Sequence, residues 1–484
     1  MNRTTLRSVG IVIALTASTA LTALGQGQAI DRTRPPALRP PARIKMPPVL
    51  NATLANGLKV YVVEMHEVPV VQVTLTVNGG GRLDGSSPGM ASFTAEMLDE
   101  GAGARDAIGI ASEAAFLGAS LGTFSDWDAS YVSIKVPKRT LGPALDLMAD
   151  VALRPRFSKT EVIRQRDLRL ANILQQRDQP NTMAALAFNS LLFPETHPYH
   201  EPLTGDSATT ANLDSTRVRA FYEASFSPAN AAIVITGDIT MAEARAAVES
   251  RFGAWQRRPS ATTSANAPGP VDRAREIFLV DKPGAAQSVI LIGAAGIERN
   301  NPDYAAIEVM NTLLGGSFSS RLNSNLREEK GYTYGAGSGF TYRPLPGPFI
   351  ARSSVRTNVT DSSLIEFFKE FERLRNEQVD PVELERAKAY LALGLAGDFE
   401  TTTQMAGQVG GLIRFGLPFT YYDDYVPRIM SVTVADVQRV AQKYIRADRF
   451  TVVVVGDVAS IRPGVEALRL GPVSIRDMTG HPVQ

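Results

Sequence analysis

The sequence predicts an α+β fold made twice: two homologous α/β-sandwich domains, each an antiparallel-rich sheet with helices packed on it. Three observations predict it. The run Ile233-Val234-Ile235-Thr236-Gly237-Asp238 returns as Val452-Val453-Val454-Val455-Gly456-Asp457. Each half opens with two strand-like runs, Leu58 to Glu64 and Val70 to Val77 in the first, Glu276 to Asp281 and Ser288 to Gly293 in the second. Long stretches of helical period follow, such as Lys159 to Gln176 and Ser362 to Asn376. Strands, then helices, then a closing strand describe an α+β domain, and the repeated order describes a duplication.

The elements follow in order. Arg3 and Arg7 precede an apolar run from Val9 to Leu24, and Ala23-Leu24-Gly25 supplies a small-x-small cleavage pattern. Residues 1–25 therefore read as a signal peptide, too short in apolar length for a stable membrane span. The expected location is across the inner membrane, in the periplasm. Residues 26–48 are Pro-rich and read as an extended leader. Asn56-Gly57 is a turn before the first strand pair. The first domain spans 49–256, a polar Pro-rich linker 257–273, the second domain 274–465, and a tail 466–484.

The 484 residues are 44% hydrophobic and 20% charged, enough for real cores. Fifty basic residues against 49 acidic ones leave a net charge of +1, so no global field points to nucleic acid. The absence of cysteine excludes a disulfide framework, a lipoprotein anchor and a thiol nucleophile. No Gly-x-Ser-x-Gly elbow is present. Gly79-Gly80-Gly81 and Gly315-Gly316 lack the Lys-Ser/Thr of a phosphate loop and read as strand-end turns.

Several fragments, weak singly, are specific in combination. They are Leu54-Ala55-Asn56-Gly57-Leu58-Lys59-Val60, His197-Pro198-Tyr199, Ser227-Pro228-Ala229-Asn230-Ala231 and Gly315-Gly316-Ser317-Phe318-Ser319-Ser320-Arg321-Leu322. The last is Leu326-Arg327-Glu328-Glu329-Lys330-Gly331-Tyr332-Thr333-Tyr334. In this order the chain resembles the pitrilysin/insulinase family of zinc metallopeptidases, the inverzincins, over residues 50 to 460. It is most similar to the two-domain branch that includes the bacterial and mitochondrial processing peptidases.

The resemblance implies a zinc helix carrying His-x-x-Glu-His. Here those positions read Ser92-Phe93-Thr94-Ala95-Glu96. Ser92 and Glu96 stand for the histidines and Ala95 for the general base. A helix there remains expected, capped by Ser86-Ser87 with Pro88 in its first turn and Gly101 at its end. The third ligand position aligns with Asn172 and a supporting acidic position with Gln165; Asp167 is the one acid between Glu161 and Asp178. One carboxylate, one hydroxyl and one amide do not make a zinc site. His197 and His200 are separated by Pro198, in a motif that is not a ligand in the family. His66 falls in a strand connection and His481 in the tail. No metal ligand and no catalytic residue is therefore assigned to this chain.

The resemblance also implies a substrate-gripping Arg and Tyr in the second domain, here Arg327 and Tyr334. A guanidinium fork and a phenol can hold carbonyl oxygens and favour an oxyanion. The competing reading pairs Arg327 with Glu328 or Glu329 and packs Tyr334 on its strand. A chain without zinc ligands but with the gripping pair has the inventory of a non-catalytic subunit. Its expected partners are an active pitrilysin-family peptidase subunit, which would carry the zinc, and a peptide or unfolded protein substrate. No cofactor, nucleic acid or stable membrane insertion is expected for this chain itself. The other readings are a peptidase-fold scaffold without a proteolytic role and a divergent metallopeptidase active on its own.

Overall fold

Apolar residues alternating along Lys59–Glu64 and Val70–Asn78 build the first long strands. The computed structural model describes residues 40–259 and 267–483. The chain divides into two compact units, Met1–Pro41 and Ala42–Gln484. The expected signal peptide and much of the leader and linker lie outside the described residues. All that follows concerns the second unit.

Its halves each hold a six-stranded sheet. The first runs in the order Leu50–Thr53, Lys59–Glu64, Ala231–Gly237, Val70–Asn78, Ala129–Pro137, Ser120–Ser125. Only the pair Lys59–Glu64 and Ala231–Gly237 is parallel. The second runs Thr333–Phe340, Pro348–Arg356, Gln287–Ala295, Thr451–Gly456, Glu276–Asp281, Val473–Arg476. Here Glu276–Asp281 pairs in parallel with both of its neighbours. The α+β duplication is thus present, antiparallel-rich in each sheet.

The two repeated strands, Ala231–Gly237 and Thr451–Gly456, are buried along their whole length. A strand of continuous apolar residues needs cover on both faces. One face of each is covered by its own half: Ile233 and Ile235 pack with Leu145 and Met148 of the helix Leu141–Leu153. The other face is covered by the opposite half. Helix Pro180–Leu192 leaves the first half and lays Ala184, Phe188 and Leu191 on Phe278, Leu291 and Val453 of the second sheet. Helix Thr402–Arg414 returns the exchange, with Met405 and Val409 in one core with Val63 and Val234. Thr236 Oγ1 donates to the Thr402 carbonyl at 2.7 Å, which fixes that contact.

Three expectations are corrected. Residues 466–484, read as a tail, carry the edge strand Val473–Arg476, because alternating Val473 and Ile475 continue the pairing of Glu276–Asp281. The first-half site helix is shorter than expected, Met90–Glu96, and its N-cap is Gly89 rather than Ser86 or Ser87. Gly89 sits at φ 89°, where a Cβ would lie 2.5 Å from the Thr204 carbonyl. The capping acceptor is Asp84, whose carboxylate takes the Gly89 and Ala91 N–H groups at 2.9 and 2.7 Å. Finally, Gly315-Gly316 is no strand-end turn but the end of a π-helical segment, Thr312–Gly316. A Cβ on Gly315 would meet the Ser338 backbone nitrogen at 2.3 Å, so glycine lets the helix end touch the edge strand.

The His-Pro-Tyr motif joins the halves. Tyr199 is fully buried, donates its hydroxyl to Asp128 at 2.8 Å, and has Arg343 of the second half over its ring at 4.6 Å. Trp127 flanks the same guanidinium at 4.2 Å. His197 is buried against Phe193 and accepts the Tyr199 N–H at Nδ1, 3.0 Å. Burial, with Arg343 and Arg82 nearby, pushes this imidazole down to about 4.

Candidate functional site

Helix Met90–Glu96 and helix Lys159–Gln176 bring the aligned positions together. Glu96, Gln165 and Asn172 line one small cavity of about 120 Å³. Ser92 and Ala95 lie under it, 5% and 0% exposed. A side chain that the sequence reading overlooked commands the place: Arg169, 5% exposed. Its Nη1 donates to Ser92 Oγ at 3.0 Å, to the Gly89 carbonyl at 3.0 Å and to the Thr204 carbonyl at 3.3 Å. Its Nη2 pairs with Glu96 Oε2 at 2.6 Å, and its guanidinium lies 4.9 Å from the Phe93 ring centroid. Ser92 in turn donates to the Leu203 carbonyl at 2.8 Å.

The two residues in histidine positions are therefore both committed to one buried cation. Asp84 lies behind the helix start. Burial pushes its carboxyl up to about 7, against the pull of backbone hydrogen bonds and of Arg169. The donor set does not fit zinc. Its single carboxylate, Glu96, already carries a guanidinium, the hydroxyl is spent, and Asn172 offers a neutral amide on an exposed position. A divalent ion there would also meet a fixed positive charge at contact range.

The signal for Arg169 was in the sequence. It sits seven positions after Val162, and these two are the buried residues of that helix. A charge on a buried stripe needs a partner, and Glu96 is that partner.

Gln165 lines the cavity but its amide is committed to a neighbouring carboxylate. It and Arg164 both bond to Glu100. The histidines are dispersed: besides His197, His66 pairs with Asp238 at 2.7 Å, His200 bonds the Phe193 carbonyl at 2.7 Å, and His481 bonds Thr479 at 2.8 Å. No group of three or more metal-ligating side chains occurs among the described residues.

Arg327 and Tyr334 belong to the second half and do not line this cavity. Arg327 sits in the π-helical segment Ser324–Glu329, and Tyr334 follows on the edge strand Thr333–Phe340, at a register irregularity between Thr333 and Ala336. Arg327 Nε is 3.2 Å from Glu328, as the competing reading had it, and its guanidinium also covers the Phe318 ring at 4.6 Å. Tyr334 does not pack: it is 90% exposed, and Phe318 is 67% exposed. The pair stands at the start of the edge strand, whose outer side is capped further along by Asn323 Oδ1, accepting the Ala336 N–H at 3.2 Å, and by Asn311 Nδ2, donating to the Ser338 carbonyl at 3.2 Å.

A family model described as Insulinase (Peptidase family M16) matches residues 59–198, and one described as Peptidase M16 inactive domain matches residues 212–391. The chain belongs to the M16 peptidase family. An uncharacterized zinc protease of Mycobacterium leprae (strain TN) is 26% identical over 443 residues, covering 87% of this chain and 95% of its own. Another, from Bacillus subtilis (strain 168), is 22% identical over 362 residues, covering 74% and 86%. The crystal structure of a peptidase M16 inactive domain from Pseudomonas fluorescens superposes with TM-score 0.79 at 29% identity, over 84% of this chain and 98% of that one. A Helicobacter pylori protease shares the M16 fold with TM-score 0.79 at 19% identity, over 85% and 100%. With its metal donors replaced and their place taken by Arg169, this chain is an inactive-type M16 member.

Proposed function

We propose that this chain is the non-catalytic subunit of a secreted, periplasmic two-subunit M16 zinc peptidase. It supplies substrate-binding and chamber-closing surface, and a zinc-bearing partner cuts. The observation that carries this reading is a contrast between the halves. The former metal position is sealed by Arg169, while Arg327, Phe318 and Tyr334 stand exposed at the start of the edge strand Thr333–Phe340. The exposed guanidinium and phenol can grip the carbonyl groups of an extended peptide laid across them.

The experiment is reconstitution. The chain is mixed with a secreted relative that keeps His-x-x-Glu-His, and association is followed by light scattering beside a peptide-cleavage assay. Heterodimer formation, with cleavage raised well above that of the relative alone, is the expected result. A relative that is fully active alone and never co-elutes would overturn the reading. One observation favours the scaffold alternative: the Arg327–Glu328 ion pair occupies the guanidinium in the isolated chain. Peptide binding to the complex, lost on Arg327→Ala, separates the two.

A further inference from the structure

Duplication gives the second half a counterpart of the sealed site. Helix Tyr304–Asn311 follows strand Gln287–Ala295 as Met90–Glu96 follows Val70–Asn78, and helix Pro381–Gly394 stands where Lys159–Gln176 stands. The first-half cavity is about 120 Å³ with a guanidinium in it. The second-half cavity is about 570 Å³, and Arg299, Tyr304, Glu308, Leu395, Asp398 and Leu412 are among its lining residues. That volume is in the range of small-molecule sites, roughly 300–1,000 Å³. It is open to solvent past Tyr390, which is 56% exposed.

Its charges are set apart. Arg299 lies over Tyr304, its guanidinium carbon 3.6 Å from the ring centroid, with Tyr421 at 4.8 Å. Among the described residues it has no carboxylate within the 4.0 Å of an ion pair, Glu308 included. Glu308 accepts a hydrogen bond from the Tyr342 hydroxyl at 2.6 Å and likewise has no cation within that distance. The rest of the wall mixes Leu391, Leu395, Leu412, Phe415 and Leu417 with the polar groups of Asp398, Gln408 and the tyrosines. Arg299 and Glu308 thus face one cavity without a contact ion pair between them, although the guanidinium's field reaches the Glu308 carboxyl and opposes the upward push of burial. A ligand of one sign would satisfy one and be repelled by the other; a ligand carrying both signs and an apolar body satisfies all three features.

We propose that this cavity binds a short zwitterionic peptide with apolar side chains, its carboxylate on Arg299 and its ammonium on Glu308. The inference needs no partner chain, so it stands or falls separately from the subunit reading. The probe is the dipeptide Leu-Phe, titrated calorimetrically into the full chain, beside its C-terminal amide and its N-acetyl form. One saturable site is expected for the free dipeptide. Capping either end, or Arg299→Met or Glu308→Gln, is expected to weaken binding about tenfold or more, as loss of a charge-assisted bond does. Gly394→Trp keeps the fold question apart. Gly394 lines the cavity, has helical dihedrals and has nothing within 4 Å of an added Cβ, so an indole can be placed at the cavity wall without displacing the backbone. That variant is expected to lose binding with an unchanged melting temperature. No saturable binding by the free dipeptide at about 10 mM, equal binding of the capped forms, or undiminished binding by Gly394→Trp would each overturn the proposal.

Discussion

Arg169 decides the chemistry of the first half at the scale of one residue. Replacing it by Met leaves Ser92, Glu96 and two carbonyl oxygens without their cation. The expected loss is about 2–3 kcal/mol in urea unfolding, below the roughly 3–5 of a fully buried pair because the Glu96 side chain is 47% exposed. A loss under about 0.5 kcal/mol, the ordinary scatter of surface changes, would make the guanidinium a bystander. Its charge also predicts the outcome of metal restoration. A variant with Ser92→His, Ala95→Glu, Glu96→His and Asn172→Glu should remain free of stoichiometric zinc while Arg169 is kept, and should take it up once Arg169→Ala is added. Elemental analysis after dialysis reads this directly. At the other half, Arg327→Ala and Tyr334→Phe should leave assembly intact and cut turnover of the mixed complex on the order of 10²-fold each, the usual effect of losing an oxyanion-type donor. Turnover within about twofold of the parent for both would make the pair structural.

At the scale of elements, the exchanged helices bind the halves into one folding unit. Phe188 is 2% exposed on a helix from the first half, in the core of the second sheet. Phe188→Ala should cost about 3–5 kcal/mol, the range for a buried aromatic. A fragment of residues 42–259 should fail to fold stably, since Val63 and Val234 would lose the cover of Met405 and Val409. A cooperative thermal transition of that fragment would refute the interdependence. The joint also carries a pH response. The unfolded chain protonates His197 near 6.5, whereas the folded one does so only near 4. The unfolded state therefore binds more protons between those values, and this contribution is fully present above pH 6.5 and fades as pH falls toward 4. His197→Gln should flatten the fall in melting temperature across that window.

For the whole molecule, the expectation is a chain that cuts nothing alone and acts by association. Purified, it should hydrolyse no peptide, because nothing at the sealed site can activate a water. With a zinc-bearing relative it should form a complex burying well over ~1,200 Å² across the pair, the lower end for stable specific interfaces. Hydrogen exchange on the mixed complex should then protect the backbone around Arg327 and Tyr334 when peptide is added, and leave the 90–96 helix unchanged.

The sequence by itself determined the duplication, the family and the loss of the zinc donors, because these are written locally. A Val-rich strand ending in Gly-Asp reads the same wherever it packs, and an absent histidine is absent in any fold. The helix Lys159–Gln176 was legible to the residue from its period. The sequence also held the Ser92, Glu96 and Asn172 positions, but not what binds them. Arg169 meets Glu96 across 73 positions of chain, and such a pairing has no local trace beyond a charge on a buried stripe. The exchange of Pro180–Leu192 and Thr402–Arg414 was equally hidden. An amphipathic helix announces that it has an apolar face, but its partner sheet is chosen by which surface is left uncovered once both halves have closed. The cap at Gly89 was missed for the same reason, since Asp84 and the Thr204 carbonyl become neighbours only in the folded chain.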